Sequence, residues 1–323
     1  MLSRRGVLLG GLGLVAVTTG GGIAVGYRRS MREAAARISP DRSLLIETRH
    51  GPLEYAEAGS GPPVLFLHGT GGGFDQGLDM GSPLVERGYR IIAPSRFGYL
   101  RSSFPEDPGP ETQADALADL LDHLGIDRVA VSGGSAGAIP AIGFAIRYPA
   151  RTAALLPIVP AVYAPGRPAV EPWGPVQRWL AEAALKSDFV FWAAITAAPD
   201  TMTGALLATD PALIHAAGPA EEARVRQVLE GILPISARAK GLLNDAAATG
   251  RPMDFDYESV HAPTLVISLE DDRFLTAESA RHIAGRIPDA RLIVYPDGGH
   301  VWVGREAELF DAVDSFLRET GYA

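Results

Sequence analysis

The chain contains no cysteine. That excludes disulfide frameworks, thiolate metal sites, a cysteine nucleophile and a cysteine-linked lipid anchor. It does not locate the protein, because a chain without thiols folds in either redox compartment. Basic charge is also scarce: 29 Lys and Arg stand against 38 Asp and Glu, a net charge of −9. Phosphate backbones are gripped by clustered cations, so no nucleic-acid partner is expected. No internal repeat is visible, and no low-complexity segment follows the N-terminus. What is present is ordinary globular material, 47% apolar and 21% charged over 323 residues. That is enough for one large core, with or without a smaller inserted unit, and it excludes global disorder.

The first thirty residues differ from the rest. Residues 6–27 carry no charge, between Arg4-Arg5 and Arg28-Arg29. They hold 8 glycines, 2 threonines and 12 apolar residues. A helix of this length would reach about 33 Å, enough to cross a bilayer, although glycine weakens it. Ser3-Arg4-Arg5-Gly6-Val7-Leu8-Leu9 resembles a bacterial twin-arginine export signal. Small residues that suit cleavage occur at Ala24-Val25-Gly26 and at Ala34-Ala35-Ala36. Residues 1–30 are therefore read as an export signal or a membrane anchor, cleaved or kept. The expected location is the bacterial periplasm or cell envelope, with a membrane tether through the N-terminus.

Short β-rich runs then alternate with helical patterns. Leu44–Glu47 and Leu53–Ala58 predict a strand pair around Gly51-Pro52. Val64–Leu67, Arg90–Ala93, Val129–Ser132, Ala154–Ile158, Thr264–Ile267 and Arg291–Val294 predict strands buried on both faces. Between them, Thr112–Leu124 places Ala116, Leu117, Leu120, Leu121 and Leu124 on one stripe. Ala277–Arg286 and Glu306–Glu319 behave alike. This alternation predicts a parallel α/β sheet. Residues 161–250 break it, with helical candidates at Val176–Ala184, Phe189–Ala197 and Glu221–Leu229. They read as a helical cap set into a core made of residues 31–160 and 251–323.

Gly133-Gly134-Ser135-Ala136-Gly137 follows a strand and precedes the helical candidate Ile139–Tyr148. A strand–turn–helix elbow of this kind lifts the serine oxygen out of the sheet. A serine hydroxyl is a weak nucleophile without a base. His300, in Asp297-Gly298-Gly299-His300 just past the last strand, is the candidate. A carboxylate must then orient the imidazole. Glu270-Asp271-Asp272 follows another strand; Asp272 is the first choice and Asp271 the second. The oxyanion needs two backbone donors. Leu67-His68-Gly69-Thr70-Gly71-Gly72-Gly73 offers the N–H of Thr70, and Ala136 follows the nucleophile. His68 is read as a support for that loop. The glycine run lacks the Gly-Lys-Ser/Thr ending of a phosphate loop.

With these residues the sequence resembles the α/β-hydrolase superfamily over roughly residues 44–323. The motifs are His68-Gly69, the Gly133–Gly137 elbow, Glu270-Asp271-Asp272-Arg273 and Gly298-Gly299-His300. Ala93-Pro94-Ser95-Arg96-Phe97-Gly98-Tyr99 looks like the family's loop after the fourth strand, with Ser95 in place of its Asp. The resemblance implies an eight-stranded, mostly parallel sheet flanked by helices, with the cap between the sixth and seventh strands. It implies acyl transfer to water through an acyl-serine, with a small-molecule substrate and no cofactor or metal. A serine at the elbow excludes relatives that attack with a carboxylate, such as haloalkane dehalogenases and epoxide hydrolases. Cofactor-free haloperoxidases, carbon–carbon bond hydrolases, lactonases and hydroxynitrile lyases stay open, as does a non-catalytic ligand-binding protein. Aromatic residues of the cap, Trp173 and Trp192 foremost, are expected to line the pocket for a small or medium, rather apolar substrate.

Overall fold

Every apolar run named above is a strand of one sheet. The computed structural model describes residues 22–165, 167, 185–249, 251–253 and 255–323. The strands are β1 (Leu44–Thr48), β2 (Gly51–Ala58), β3 (Pro63–Leu67), β4 (Arg90–Pro94), β5 (Val129–Gly134), β6 (Thr152–Ile158), β7 (Leu265–Leu269) and β8 (Arg291–Tyr295). They lie in the order β1-β2-β4-β3-β5-β6-β7-β8. β2 is antiparallel to β1 and to β4, and every other pairing is parallel. β5 and β6 are buried along their whole length, as a continuous apolar run requires when helices cover both faces.

The two helical layers follow from the apolar stripes. On one face α3 (Pro110–His123), α4 (Ala138–Arg147) and the helix Thr276–Arg286 bury Leu117, Leu121, Ile142, Phe144 and Ile283. On the other, α2 (Phe74–Glu86) and the helix Glu306–Glu319 bury Leu84, Leu309, Phe310 and Phe316. Each such side chain contributes about 1.5–3 kcal/mol when fully withdrawn from water.

Between β6 and β7 the described chain forms the helices Asp188–Ala197, Pro199–Leu206, Pro211–Ala217, Pro219–Glu230 and Ala239–Thr249. Two of the three helical candidates are among them, and Val176–Ala184 lies outside the described residues. Three of these helices start on proline, whose fixed φ and missing N–H suit a first turn. This insertion has its own apolar centre, with Phe191, Trp192, Ile195, Val225 and Leu229. Val301 and Val303, beside His300, enter the same cluster.

Residues 1–21 of the apolar N-terminal run lie outside the described residues. A helix, α1, spans residues 22–37, so the expected boundary at residue 30 falls inside it. Ala34 joins the apolar centre of the insertion, and Arg37 Nη2 donates to the Glu230 carbonyl at 2.8 Å. Among the described residues no helix is long and apolar enough to cross a membrane.

Candidate active site

β5 ends at Gly134, and Ser135 opens a single tight turn that runs into α4. Ser135 has φ +52°, a left-handed conformation that costs a non-glycine residue energy and that the packing around it enforces. The flanking glycines are there for space. A Cβ on Gly133 would fall 2.3 Å from the Gly137 carbonyl oxygen, and one on Gly137 would fall 2.2 Å from that of Leu67. A side chain at Gly133 would force the elbow turn open, and one at Gly137 would push it away from β3.

β7 delivers Asp272 and β8 delivers His300 to the same rim. His300 Nδ1 lies 2.7 Å from Asp272 Oδ2, and Nε2 lies 2.9 Å from Ser135 Oγ. An ionised carboxylate only accepts, so the imidazole proton sits on Nδ1 and the serine hydroxyl donates to Nε2. Three side chains separated by up to 165 residues thus form one hydrogen-bonded chain. Burial opposes charge on Asp272, but His300, the Thr276 hydroxyl and the Phe274 N–H outweigh it and hold the carboxyl below the usual carboxylate range. The ring of Phe274 stands edge-on to His300 at 4.9 Å.

The neighbouring carboxylate has a different task. Asp271 accepts the N–H groups of Gly298 at 3.2 Å and Gly299 at 2.8 Å. Both glycines have positive φ, +126° and +63°, which lets the loop turn sharply onto the sheet edge. The two acids open in the sequence are therefore separated by geometry: Asp272 meets the imidazole, and Asp271 ties the loop that carries it.

The His68–Gly72 loop passes beside the elbow. A Cβ on Gly69 would lie 3.2 Å from that of Ser135. Among the described residues no partner takes the N–H of Thr70, whereas the N–H of Gly69 goes to Gln76 Oε1 at 3.0 Å. Ala136 sits in the first turn of the elbow, where helical carbonyls do not reach the N–H groups. His68 is buried, and burial followed by the charge of Arg96 holds its pKa well below the ordinary value. It is thus a neutral support. Ser95, where the resembled family has Asp, links the Phe74 N–H to Glu54 of β2. The carboxylate has moved to the adjacent strand, where it also meets Arg101 and Ser43.

The structure gives Trp192 a different place from the expected pocket wall. Its indole packs on α1, 5.4 Å from the Tyr27 ring, and Nε1–H donates to Ser30 Oγ at 3.0 Å. It lines a groove of about 390 Å³ between α1 and the insertion, together with Arg29, Ile195 and His215. Trp173 lies outside the described residues. Among the described residues no group of side chains could hold a metal ion.

Arg96, Tyr99, Arg238 and Asp245 surround the Thr70 loop; Arg96 and Tyr99 lie in the loop after β4 that the sequence singled out, without a role there, and Arg238 and Asp245 belong to no motif. Arg96 and Asp245 are 149 positions apart, so their pairing leaves no local signal.

Known proteins match this picture. A hydrolase of Bacillus subtilis (strain 168) is 27% identical over 276 residues, covering 80% of this chain and 91% of its own. The 2-hydroxy-6-oxo-6-phenylhexa-2,4-dienoate hydrolase of Burkholderia cepacia is 25% identical over 267 residues, covering 79% and 87%. An alpha/beta hydrolase fold protein from Nakamurella multipartita superposes with a TM-score of 0.69 at 27% identity, covering 86% of this chain and 99% of that one. The alpha/beta hydrolase fold family matches residues 62–303, three quarters of the length, and the chain belongs to that family.

Proposed function

We propose that the protein is a serine hydrolase that cleaves a small or medium, rather apolar ester-type substrate through an acyl-serine intermediate. The observation that carries this reading is the continuous chain from Ser135 Oγ through His300 to Asp272, at 2.9 and 2.7 Å. His300 Nε2 takes the hydroxyl proton as Ser135 Oγ bonds to the carbonyl carbon. The oxyanion that forms is stabilised by the N–H groups of Thr70 and Ala136. Collapse breaks the bond to the leaving group, which receives the proton from His300. Water then repeats the sequence on the acyl-serine and releases the acid. Asp272 holds the imidazole in the required tautomer and balances the imidazolium.

The insertion acts in this reading as a cap over the rim. Residues 1–30 serve as an export signal or anchor, on the strength of the twin arginines and the apolar run. Intact mass of the mature protein tests that point. For the activity, a fluorophosphonate probe should label Ser135, and Ser135→Ala should lose both label and turnover of short p-nitrophenyl esters. Absence of labelling in folded protein would refute the reading.

A second reading, cleavage of a carbon–carbon bond beside a ketone, is favoured by one relative and one residue. The Burkholderia cepacia relative is named for a dienoate substrate, and Arg167 lies close enough to Asp272 to feel its charge. Turnover of 2-hydroxy-6-oxo-6-phenylhexa-2,4-dienoate in preference to esters would select it.

A further inference from the structure

In a trans peptide the carbonyl and the following N–H point to opposite sides. The Gly69 carbonyl therefore decides where the Thr70 N–H is aimed. Three donors converge on that carbonyl: His68 Nδ1–H at 2.7 Å, Arg96 Nη2–H at 3.2 Å and the Gly72 N–H at 3.3 Å. Arg96 also gives its Nε–H to the His68 carbonyl at 2.9 Å and its backbone N–H to His68 Nε2 at 3.0 Å.

Arg96 is in turn fixed from the insertion. Asp245, on the helix Ala239–Thr249, takes Nη1–H at 2.9 Å on Oδ1 and Nη2–H on Oδ2. Tyr99 donates its hydroxyl to Asp245 Oδ2 at 2.6 Å and accepts the Gly71 N–H at 3.2 Å. The ion pair is withdrawn from water, Arg96 being 3% and Asp245 2% exposed. A pair that merely glued the insertion to the sheet would spend its donors on the carboxylate. This guanidinium sends two of its N–H groups to the backbone of the oxyanion loop. A cation on a peptide carbonyl also polarises the amide and strengthens its N–H as a donor.

We propose that Arg96, set by Asp245, is the positioning residue of the oxyanion hole, so that the insertion holds the Thr70 N–H in register with Ser135. The proposal rests on the serine-hydrolase reading. Its test compares wild type with Asp245→Asn in pre-steady-state hydrolysis of p-nitrophenyl butyrate, with rates expressed per fluorophosphonate-labelled site. Butylboronic acid serves as a tetrahedral analogue. The acylation rate and the boronate affinity should each fall about ten- to a hundredfold, less than or equal to the loss of a whole oxyanion donor, with KM nearly unchanged. A folded variant with unchanged acylation, or with a loss confined to KM, overturns the proposal.

If Asp245→Asn does not fold, the double variant Arg96→Met/Asp245→Leu, in which apolar side chains replace the buried pair, carries the same comparison. If the wild type forms no acyl-enzyme, the hydrolase reading itself fails. Amide hydrogen exchange across Gly69–Gly72 then decides the positioning: faster exchange in the variant upholds it, and identical exchange overturns it.

Discussion

On the His300 wall of the site, support comes from within 28 positions of the chain. Asp271 grips Gly298 and Gly299 next to His300, and Thr276 and Phe274 satisfy Asp272 from within four residues. On the oxyanion wall it comes from far away. The Gly69 carbonyl leans on Arg96 and so on Asp245, and the Gly72 carbonyl leans on Arg238, which pairs with Asp75 across 163 positions. The chemistry-bearing groups of both walls sit at strand ends. Both walls meet the insertion, the first through Val301 and Val303 beside His300 and the second through the buried ion pairs of Asp245 and Arg238, so movement of the insertion should act more strongly on the Thr70 loop than on the chain from Ser135 to Asp272.

The comparison can be broken at four points. Asp272→Asn removes the charge that orients His300 and should lower turnover about ten-thousandfold while leaving the Thr70 loop intact, as steady-state kinetics and hydrogen exchange would show. Arg238→Met leaves Asp75, in the first turn of α2, buried without its cation. It should cost about 3–5 kcal/mol of stability in a denaturant titration. Asp271→Ala frees the two glycine N–H groups and misplaces His300, lowering kcat by about ten- to a hundredfold. Exchange at Gly69–Gly72 should not change in this variant, and faster exchange there would show that the walls are coupled after all.

The smallest effect concerns two histidines with opposite signs. His68, buried by the oxyanion loop, has its pKa depressed by burial and then by Arg96. Below about pH 6.5 the unfolded chain binds a proton that the folded site refuses. Stability is then lost as the pH falls, by at most about 1.4 kcal/mol per pH unit from this group. His215, exposed on the insertion, is raised by its bond to Glu222 and then by Asp200. Its contribution is complete at acid pH and lost as the pH rises through the raised value. Melting curves of His68→Gln and His215→Gln against wild type between pH 5 and 9 should both change at the acid end with opposite signs: loss of His68 relieves an acid destabilisation, and loss of His215 removes an acid stabilisation. Shifts of the same sign would contradict this assignment.

The legible part of the protein was whatever obeys a local rule. The strand runs, the stripe on α3, the elbow and the glycines before His300 each follow from spacing or sterics within a few residues. An aromatic side chain reports that it will be buried, not against what; α1 covers Trp192 here. Asp271 and Asp272 were indistinguishable as a pair, since adjacent side chains leave a loop in different directions that only the fold sets.

By itself, then, the sequence determined the sheet, the strand-end positions of Ser135, Asp272 and His300, and the turn that strains Ser135, because period, volume and backbone freedom are local properties. The tertiary structure decided which carboxylate meets the imidazole, where Trp192 lies, and how Arg96 and Asp245 come to stand behind the Thr70 peptide. Those outcomes rest on contacts between segments 28 to 162 positions apart, and a buried charge finds its partner through the packing of whole elements.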